Sequence, residues 1–318
     1  MFRQALFPEQ ASTIAARTDA LLFFLLGITA FFVCLIAGLI LYFMVRYRRR
    51  SSDEVGAPTH LSLGLEVLWS GIPFVLAMVV FFWGASIFAS LNRAPDDALQ
   101  VYVVGKQWMW KIQHVEGRRE INELHVPTGR PVRVVMTSED VIHSFFVPAF
   151  RVKQDAVPGR YTMTWFQATR PGTYHLFCAE YCGTLHSGMI GSVVVMEPAA
   201  YEAWLAGGGT SGVSVAAAGE TVFQAQGCPT CHAPDGSGRG PSLVGVFGST
   251  VELRDGRRVV ADEGYLRESV VNPQAKIVAG YEPIMPTYQG LVDEEALMQL
   301  IAYIKSLQTP TAAAERGK

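Results

Sequence analysis

Cys178-Ala-Glu180-Tyr-Cys182-Gly-Thr-Leu-His186-Ser-Gly-Met189 gathers two thiols, an imidazole, a carboxylate and a thioether into one short stretch. Thiolate and thioether donors select copper(I), zinc or iron–sulfur chemistry, and a Met in the set points to copper, because zinc sites are built from Cys, His and carboxylate. An isolated CxxxC reads as a disulfide or a structural zinc site; the added His and Met turn the reading to copper. A mononuclear blue-copper site uses a single Cys with two His and a weak Met. Two Cys four residues apart suit a pair of metals better, and a second His must then come from elsewhere in the chain.

Around this loop lie short runs rich in Val, Tyr, Phe and Thr: Leu99 to Val104, Val132 to Thr137, Tyr161 to Phe166 and Ser192 to Met196, separated by Gly and Pro turns. This pattern predicts an all-β sandwich. Residues 97–198 are sufficient for a cupredoxin-like Greek-key sandwich with the metal loop between its last two strands. Gly105-Lys-Gln-Trp108-Met-Trp110 has aromatics two apart, as in a strand with both rings on one face and packed in the core. His143, in Asp140-Val-Ile-His143-Ser-Phe-Phe-Val-Pro148, reads on its own as a hydrogen-bonded surface residue. His60, His114, His125 and His175 fit no ligand position and read as structural.

Before the sandwich, Ala20 to Val45 has no charged residue. At about 1.5 Å per residue the run extends roughly 39 Å, more than a bilayer core requires. It exceeds the apolar part of a signal peptide and is followed by Arg46, Arg48, Arg49 and Arg50. Val67 to Leu91 is a second such run, whose Pro73 a membrane helix tolerates. Residues 1–96 are therefore expected to carry a transmembrane hairpin with helices at about 20–45 and 67–91. The arginine-rich connection belongs on the cytoplasmic side, which places everything after Leu91 on the periplasmic or outer face of the cytoplasmic (inner) membrane of a multi-pass protein. Cys34, within the first run, reads as a packing thiol.

After the sandwich, residues 199–218 are rich in Ala and Gly and predict a flexible linker. Cys228-Pro-Thr-Cys231-His232 follows, the attachment motif of a c-type haem, in which Cys228 and Cys231 form thioethers and His232 ligates the iron. A bare CxxCH also fits a zinc or redox site. Its surroundings decide, because Gly240-Pro-Ser-Leu-Val-Gly-Val-Phe-Gly248 resembles the loop under the haem of small cytochromes c, with Pro241 supporting His232. Met285, in Tyr281-Glu-Pro-Ile-Met285-Pro286, is the expected sixth ligand. Met298 falls on the apolar period of a helix expected at 293–307 and reads as core. An all-α class I cytochrome c domain is expected at 219–308, with a tail at 309–318.

Together, the cysteine loop, Trp108 and His143 closely resemble the dinuclear copper (CuA) domain of cytochrome c oxidase subunit II, over Ala20 to Met196. The resemblance implies the cupredoxin-like fold and makes the His of the HSFxxP pattern, His143, the second imidazole. CuA would then be held by His143, Cys178, Cys182, His186, Met189 and the backbone carbonyl of Glu180. It further implies that the Glu180 side chain ligates a magnesium ion shared with subunit I, that Trp108 receives electrons, and that Glu66, three residues before Trp69, stands at the mouth of a proton channel.

The chain has 318 residues, half of them hydrophobic, and a net charge of −2. It has no basic stripe interleaved with aromatics, so nucleic acid is set aside as a partner. Between Gly219 and Gln308, 7 Lys and Arg stand against 11 Asp and Glu, unlike a strongly basic soluble cytochrome c. The expectation is subunit II of a respiratory cytochrome c oxidase with a fused cytochrome c. It would relay electrons from an external donor, a cytochrome c or a quinol-oxidising complex, through haem c and CuA to subunit I, where O2 is reduced to water with proton pumping. The chain itself would hold no catalytic residue. Subunit III and membrane lipid are further expected partners. Alternatives are the equivalent subunit of a CuA-containing nitric oxide reductase and a membrane-tethered redox carrier with no fixed catalytic partner.

Overall fold

The computed structural model describes residues 7–56, 62–207 and 214–307, so His60 and the expected tail lie outside the described residues. Two helices, α1 (Thr13–Arg46) and α2 (Leu63–Leu91), are long and apolar enough to cross a membrane. Helix α1 starts seven residues before its charge-free run, because Ser12 caps the Ala15 N–H and Ile14, Ala15 and Asp19 are buried. Its 34 residues make about 51 Å, so the first turns stand clear of a hydrocarbon layer of about 30 Å. Helix α2 starts at Leu63, which places Glu66 in its first turn. Cys34 is not packed inside as the sequence suggested. The hairpin has one internal contact face, and this thiol lies on the exposed side of α1.

Ten strands follow: β1 (Leu99–Lys106), β2 (Met109–His114), β3 (Arg119–Ile121), β4 (Glu123–Pro127), β5 (Pro131–Ser138), β6 (His143–Val147), β7 (Val152–Ala156), β8 (Thr162–Gln167), β9 (Gly172–Cys178) and β10 (Ile190–Met196). They form two five-stranded sheets, in the orders β3-β2-β1-β5-β8 and β4-β10-β9-β6-β7. Alternate residues such as Val101, Val103, Val132, Val134, Val193 and Val195 turn inward with Trp110 and Phe145, making the core of a cupredoxin-like sandwich. Gln107 and Trp108 occupy the turn between β1 and β2 and are not strand residues. Trp110 is therefore fully buried while Trp108 is half-buried over the core.

Within the expected linker, residues 199–207 and 215–218 are helical. Helix α3 (Pro198–Gly207) buries Tyr201 and packs Trp204 on the sandwich, and α4 (Val215–Ala225) begins before the expected haem domain. Tyr201 and Trp204, three apart, give the Ala-rich segment one sticky face. His114 and His125 both bond the Glu120 carboxylate beneath it, and Trp204 stacks on His125 at 4.4 Å.

In the C-terminal part, the small hairpin of β11 (Thr250–Glu252) and β12 (Arg258–Val260) lies between α4 and the helices α5 (Glu263–Val271) and α6 (Glu294–Ser306). Helices α4 and α6 cross at Gly219, where an added Cβ would lie 1.9 Å from the Gln299 carbonyl. Gly219→Ala is expected to destabilise this part by about 1–3 kcal/mol, as overpacking does; denaturant unfolding followed at the haem would measure it.

The haem part rests on the outer face of the first sheet. Met298 of α6 and Val215 of α4 pack with Tyr102, Val104 and Val135. Ion pairs surround this patch: Arg119 with Glu295 at 2.9 Å, Lys305 with Glu263 at 2.8 Å, Arg133 with Glu263 at 3.5 Å, and Arg267 with Glu294. Burial raises the Glu263 pKa, but Lys305 and Arg133 outweigh it and hold the carboxyl below its ordinary 4.5. A depressed carboxylate stabilises the folded form above that value and loses the contribution as pH falls through its folded pKa. Acidification below about 4.5 should loosen the seam, and Glu263→Gln should remove that part of the acid sensitivity, as read by thermal unfolding across pH.

Candidate functional site

The candidate copper site is assembled from the start of β6, the end of β9 and the loop between β9 and β10. Pairing of Phe145 in β6 with Cys178 in β9 brings His143 to the cysteine loop, whose last residue, Met189, is buried just before β10. The Sγ atoms of Cys178 and Cys182 are 3.7 Å apart. His143 Nδ1 lies 3.8 Å and the Glu180 carbonyl oxygen 3.2 Å from Cys178 Sγ. His186 Nδ1 lies 3.4 Å and Met189 Sδ 3.8 Å from Cys182 Sγ. The set thus divides into two ends, each with one imidazole and one weak donor, around a central pair of sulfurs.

These donors suit a pair of soft metal ions. Two thiolates about 3.7 Å apart can share two metals at ordinary metal–sulfur distances near 2.3 Å. His143, Cys178, Cys182 and Met189 are all buried, so solvent does not compete for them. Among the described residues, His143, Cys178 and Cys182 also form one of two clusters close enough to hold a metal ion. The second, Glu120, Glu123 and His125, lies under α3, where Glu120 is already bonded to two histidines.

Burial pushes the Cys178 thiol up, but the His143 ring and nearby backbone groups outweigh it and bring it to about 6. Burial and the adjacent Cys178 push Cys182 up to about 12. One sulfur of the metal-free pair is therefore the preferred thiolate, because two adjacent anions repel in a buried site.

Three supporting residues were not read from the sequence. Asp140 Oδ1 accepts from His143 Nε2 at 2.8 Å, which fixes the tautomer and leaves Nδ1 facing the sulfurs. The signal was present, an acidic residue three before the histidine. Asp140→Asn is expected to weaken copper binding about 10–100-fold, measured by competition with a chelator. Gly105 lies against the same ring: a Cβ there would meet His143 Cδ2 at 2.7 Å. Gly105→Ala should therefore displace His143 and change the copper hyperfine pattern without unfolding the sandwich. Gln107 Nε2 and Trp108 Nε1 both donate to the Cys182 carbonyl, at 2.8 and 3.2 Å, and tie the loop to the β1–β2 turn. Glu180 has an exposed side chain and turns its carbonyl inward. Glu66 stays at the far end of α2, in the membrane hairpin and away from the sandwich.

The haem-domain site is a cavity of about 1040 Å³ lined by Cys228, Cys231, His232, Pro241 and Met285 among others. His232 Nδ1 donates to the Pro241 carbonyl at 2.8 Å, which leaves Nε2 as the ligating atom. Gly240 permits this approach, since its Cβ would lie 2.9 Å from the ring. The cavity has the size and the mainly apolar wall of a macrocycle pocket. Met285 lines it, whereas Met298 faces the sandwich in the seam.

Comparison with known proteins agrees with this arrangement. Family models described as cytochrome c oxidase subunit II, transmembrane domain, and cytochrome c oxidase subunit II, periplasmic domain, match residues 2–87 and 118–197, and a cytochrome c model matches 216–308. Cytochrome c oxidase subunit 2 of Alkalihalophilus pseudofirmus is 32% identical over 286 residues, 83% of this chain and 80% of that protein. The chain belongs to the cytochrome c oxidase subunit II family. The subunit 2 of Thermostichus vulcanus is 31% identical over 255 residues, 63% of this chain and 77% of that protein. The crystal structure of the periplasmic domain of subunit II of cytochrome oxidase of Bradyrhizobium japonicum shares 32% identity and covers 38% of this chain and 100% of that one, with a TM-score of 0.36. As a subunit II, the chain is part of an oxidoreductase complex with subunit I. Its periplasmic domain implies CuA copper, and its cytochrome c domain implies haem.

Proposed function

We propose that this subunit takes electrons from an external donor at a haem c bound to Cys228 and Cys231, passes them to a copper pair in the Cys178–Met189 loop, and delivers them to subunit I, where O2 is reduced to water with proton pumping. What supports this reading is that one chain gathers two donor sets, one around the paired sulfurs and one around the cavity of His232 and Met285. His232 and Met285 would fill both axial positions of an iron, and His143, His186, Met189, the two cysteines and the Glu180 carbonyl would leave no position for a substrate. Filled coordination suits electron transfer and excludes substrate binding at the metal.

The remaining residues have supporting parts in this reading. Trp108, half-buried and bonded to the Cys182 carbonyl, is the point where electrons reach the copper loop. The outward carboxylate of Glu180 offers hard oxygen atoms to a magnesium ion at the border with subunit I. Glu66, at the cytoplasmic end of α2, serves proton uptake. The hairpin spans the cytoplasmic membrane, with lipid, the catalytic subunit I and subunit III covering its exposed apolar sides, and both redox domains on the periplasmic side. The donor is a cytochrome c or a quinol-oxidising complex.

Purifying the complex and measuring its metals and haems tests this. Two coppers and one covalent haem in this chain, with a haem–copper oxygen site in its partner, are expected. A partner that lacks such a site, or a chain that purifies alone, contradicts the reading.

A further inference from the structure

The segment leading into α1 is tied to the sandwich by backbone bonds of Ala11 with Ala149 and Thr169, and the first turns of the helix are held by an arginine. Arg151 lies just after β6, past a single 3-10 turn (Pro148–Phe150), in the left-handed region at φ 55°. Its Nε and Nη2 each bond a different oxygen of Asp19 in α1, both at 2.8 Å. Its remaining N–H groups reach the carbonyls of Pro8 at 2.9 Å and Pro148 at 2.5 Å. Asp19 also accepts from Gln10 at 2.8 Å, and its side chain is only 6% exposed. Ser12 Oγ donates to the Phe150 carbonyl at 2.8 Å. A second fastening joins the other helix to the other sheet, where Trp165 Nε1 of β8 donates to the Ser90 carbonyl of α2 at 2.8 Å.

A buried ion pair contributes little net stability, since desolvation offsets most of the attraction, but its fork geometry can impose one orientation. The backbone bonds of Ala11, at 3.0 and 2.9 Å, hold the segment before the helix, whereas the helix itself enters the sandwich core with Ile14, so the arginine fork is what sets its angle. Strand β6 makes the orientation matter, because it starts at His143 and leads, through the single 3-10 turn, to the arginine clamp.

We propose that Arg151 and Asp19 are positioning residues that fix the height and tilt of the copper loop over the membrane hairpin, and hence its distance to the electron acceptor in subunit I. This rests on the reading of the chain as the relay into subunit I. Electron tunnelling falls exponentially with distance, so a small tilt changes that last step while leaving the ligand set intact.

The test uses the whole complex carrying Arg151→Lys, which keeps the charge and loses the fork, and separately Asp19→Asn. After flash reduction, transfer from haem c to copper and from copper to subunit I are timed separately. Both variants should keep the wild-type copper hyperfine pattern and the wild-type haem-to-copper rate, while copper-to-subunit I transfer slows about tenfold or more. A chain that keeps both centres but no longer assembles with subunit I supports the same role. An unchanged final step overturns the proposal, and so does loss of copper or haem from both variants, which would make the clamp a folding element. If wild-type copper is never reduced by the haem, the relay reading itself fails, a result separate from either outcome.

Discussion

Replacing Cys182 with serine is expected to abolish electron delivery through this subunit while leaving the haem domain folded. Cys182 Sγ lies within 4 Å of three other side-chain donors of the loop: the Cys178 sulfur at 3.7 Å, His186 Nδ1 at 3.4 Å and Met189 Sδ at 3.8 Å. A hydroxyl is a harder, weaker donor and does not bridge soft metals as a thiolate does. Loss of a supporting hydrogen bond around a metal ligand costs about 10–100-fold in affinity or activity, and loss of the shared ligand should exceed about 100-fold. The spectrum should change from the hyperfine pattern of two equivalent coppers to that of one copper or none. The domain should survive, because Cys182 lies at the sandwich rim and the inward Val and Phe side chains are untouched.

Met285→Ala is the second large effect. Met285 shares the haem cavity with His232, and no other methionine lines that cavity among the described residues. Methionine raises the potential of a His-ligated haem. Its removal should lower the potential by about 0.1 V or more, a modest part of the ~0.8 V that axial ligands span. For one electron, about 0.1 V changes the equilibrium constant roughly 50-fold. The sign matters: a lower potential makes the haem a better donor to copper but a poorer acceptor from the external donor. Turnover should fall at the input step, and potentiometric titration with the visible spectrum measures it. Met298→Leu should leave both spectrum and potential unchanged, because that side chain faces Tyr102 and Val135 in the seam.

Much of the fold was legible because it rests on local patterns. Charge-free runs mark the hairpin, β-branched runs between Gly and Pro turns mark the strands, and the metal loop is one contiguous stretch. What escaped depends on pairing over distance. Asp140, Gly105 and Gln107 matter only because β1, the β1–β2 turn and the start of β6 converge on one ring and one carbonyl. Arg151 has no local signal for its partner, which lies 132 residues away. The helix at the start of the linker was missed for a related reason. An Ala-Gly composition predicts flexibility, whereas Tyr201 and Trp204 find a surface, made by His114, Glu120 and His125, that only the folded sandwich supplies.

The C-terminal part is seated on the first sheet by Met298, Val215 and the ion pairs Arg119–Glu295 and Arg133–Glu263, so the cavity around His232 and the cysteine loop belong to one folded unit. Electrons are expected to cross this unit in a fixed order. Flash reduction of the haem c in the purified complex, followed at the haem, at the copper pair and at subunit I, tests it most directly. Haem oxidation and copper reduction are expected to occur together, at a rate independent of protein concentration, and to precede reduction of subunit I. Reduction of subunit I without prior reduction of copper, or a haem-to-copper step that scales with protein concentration, would contradict it.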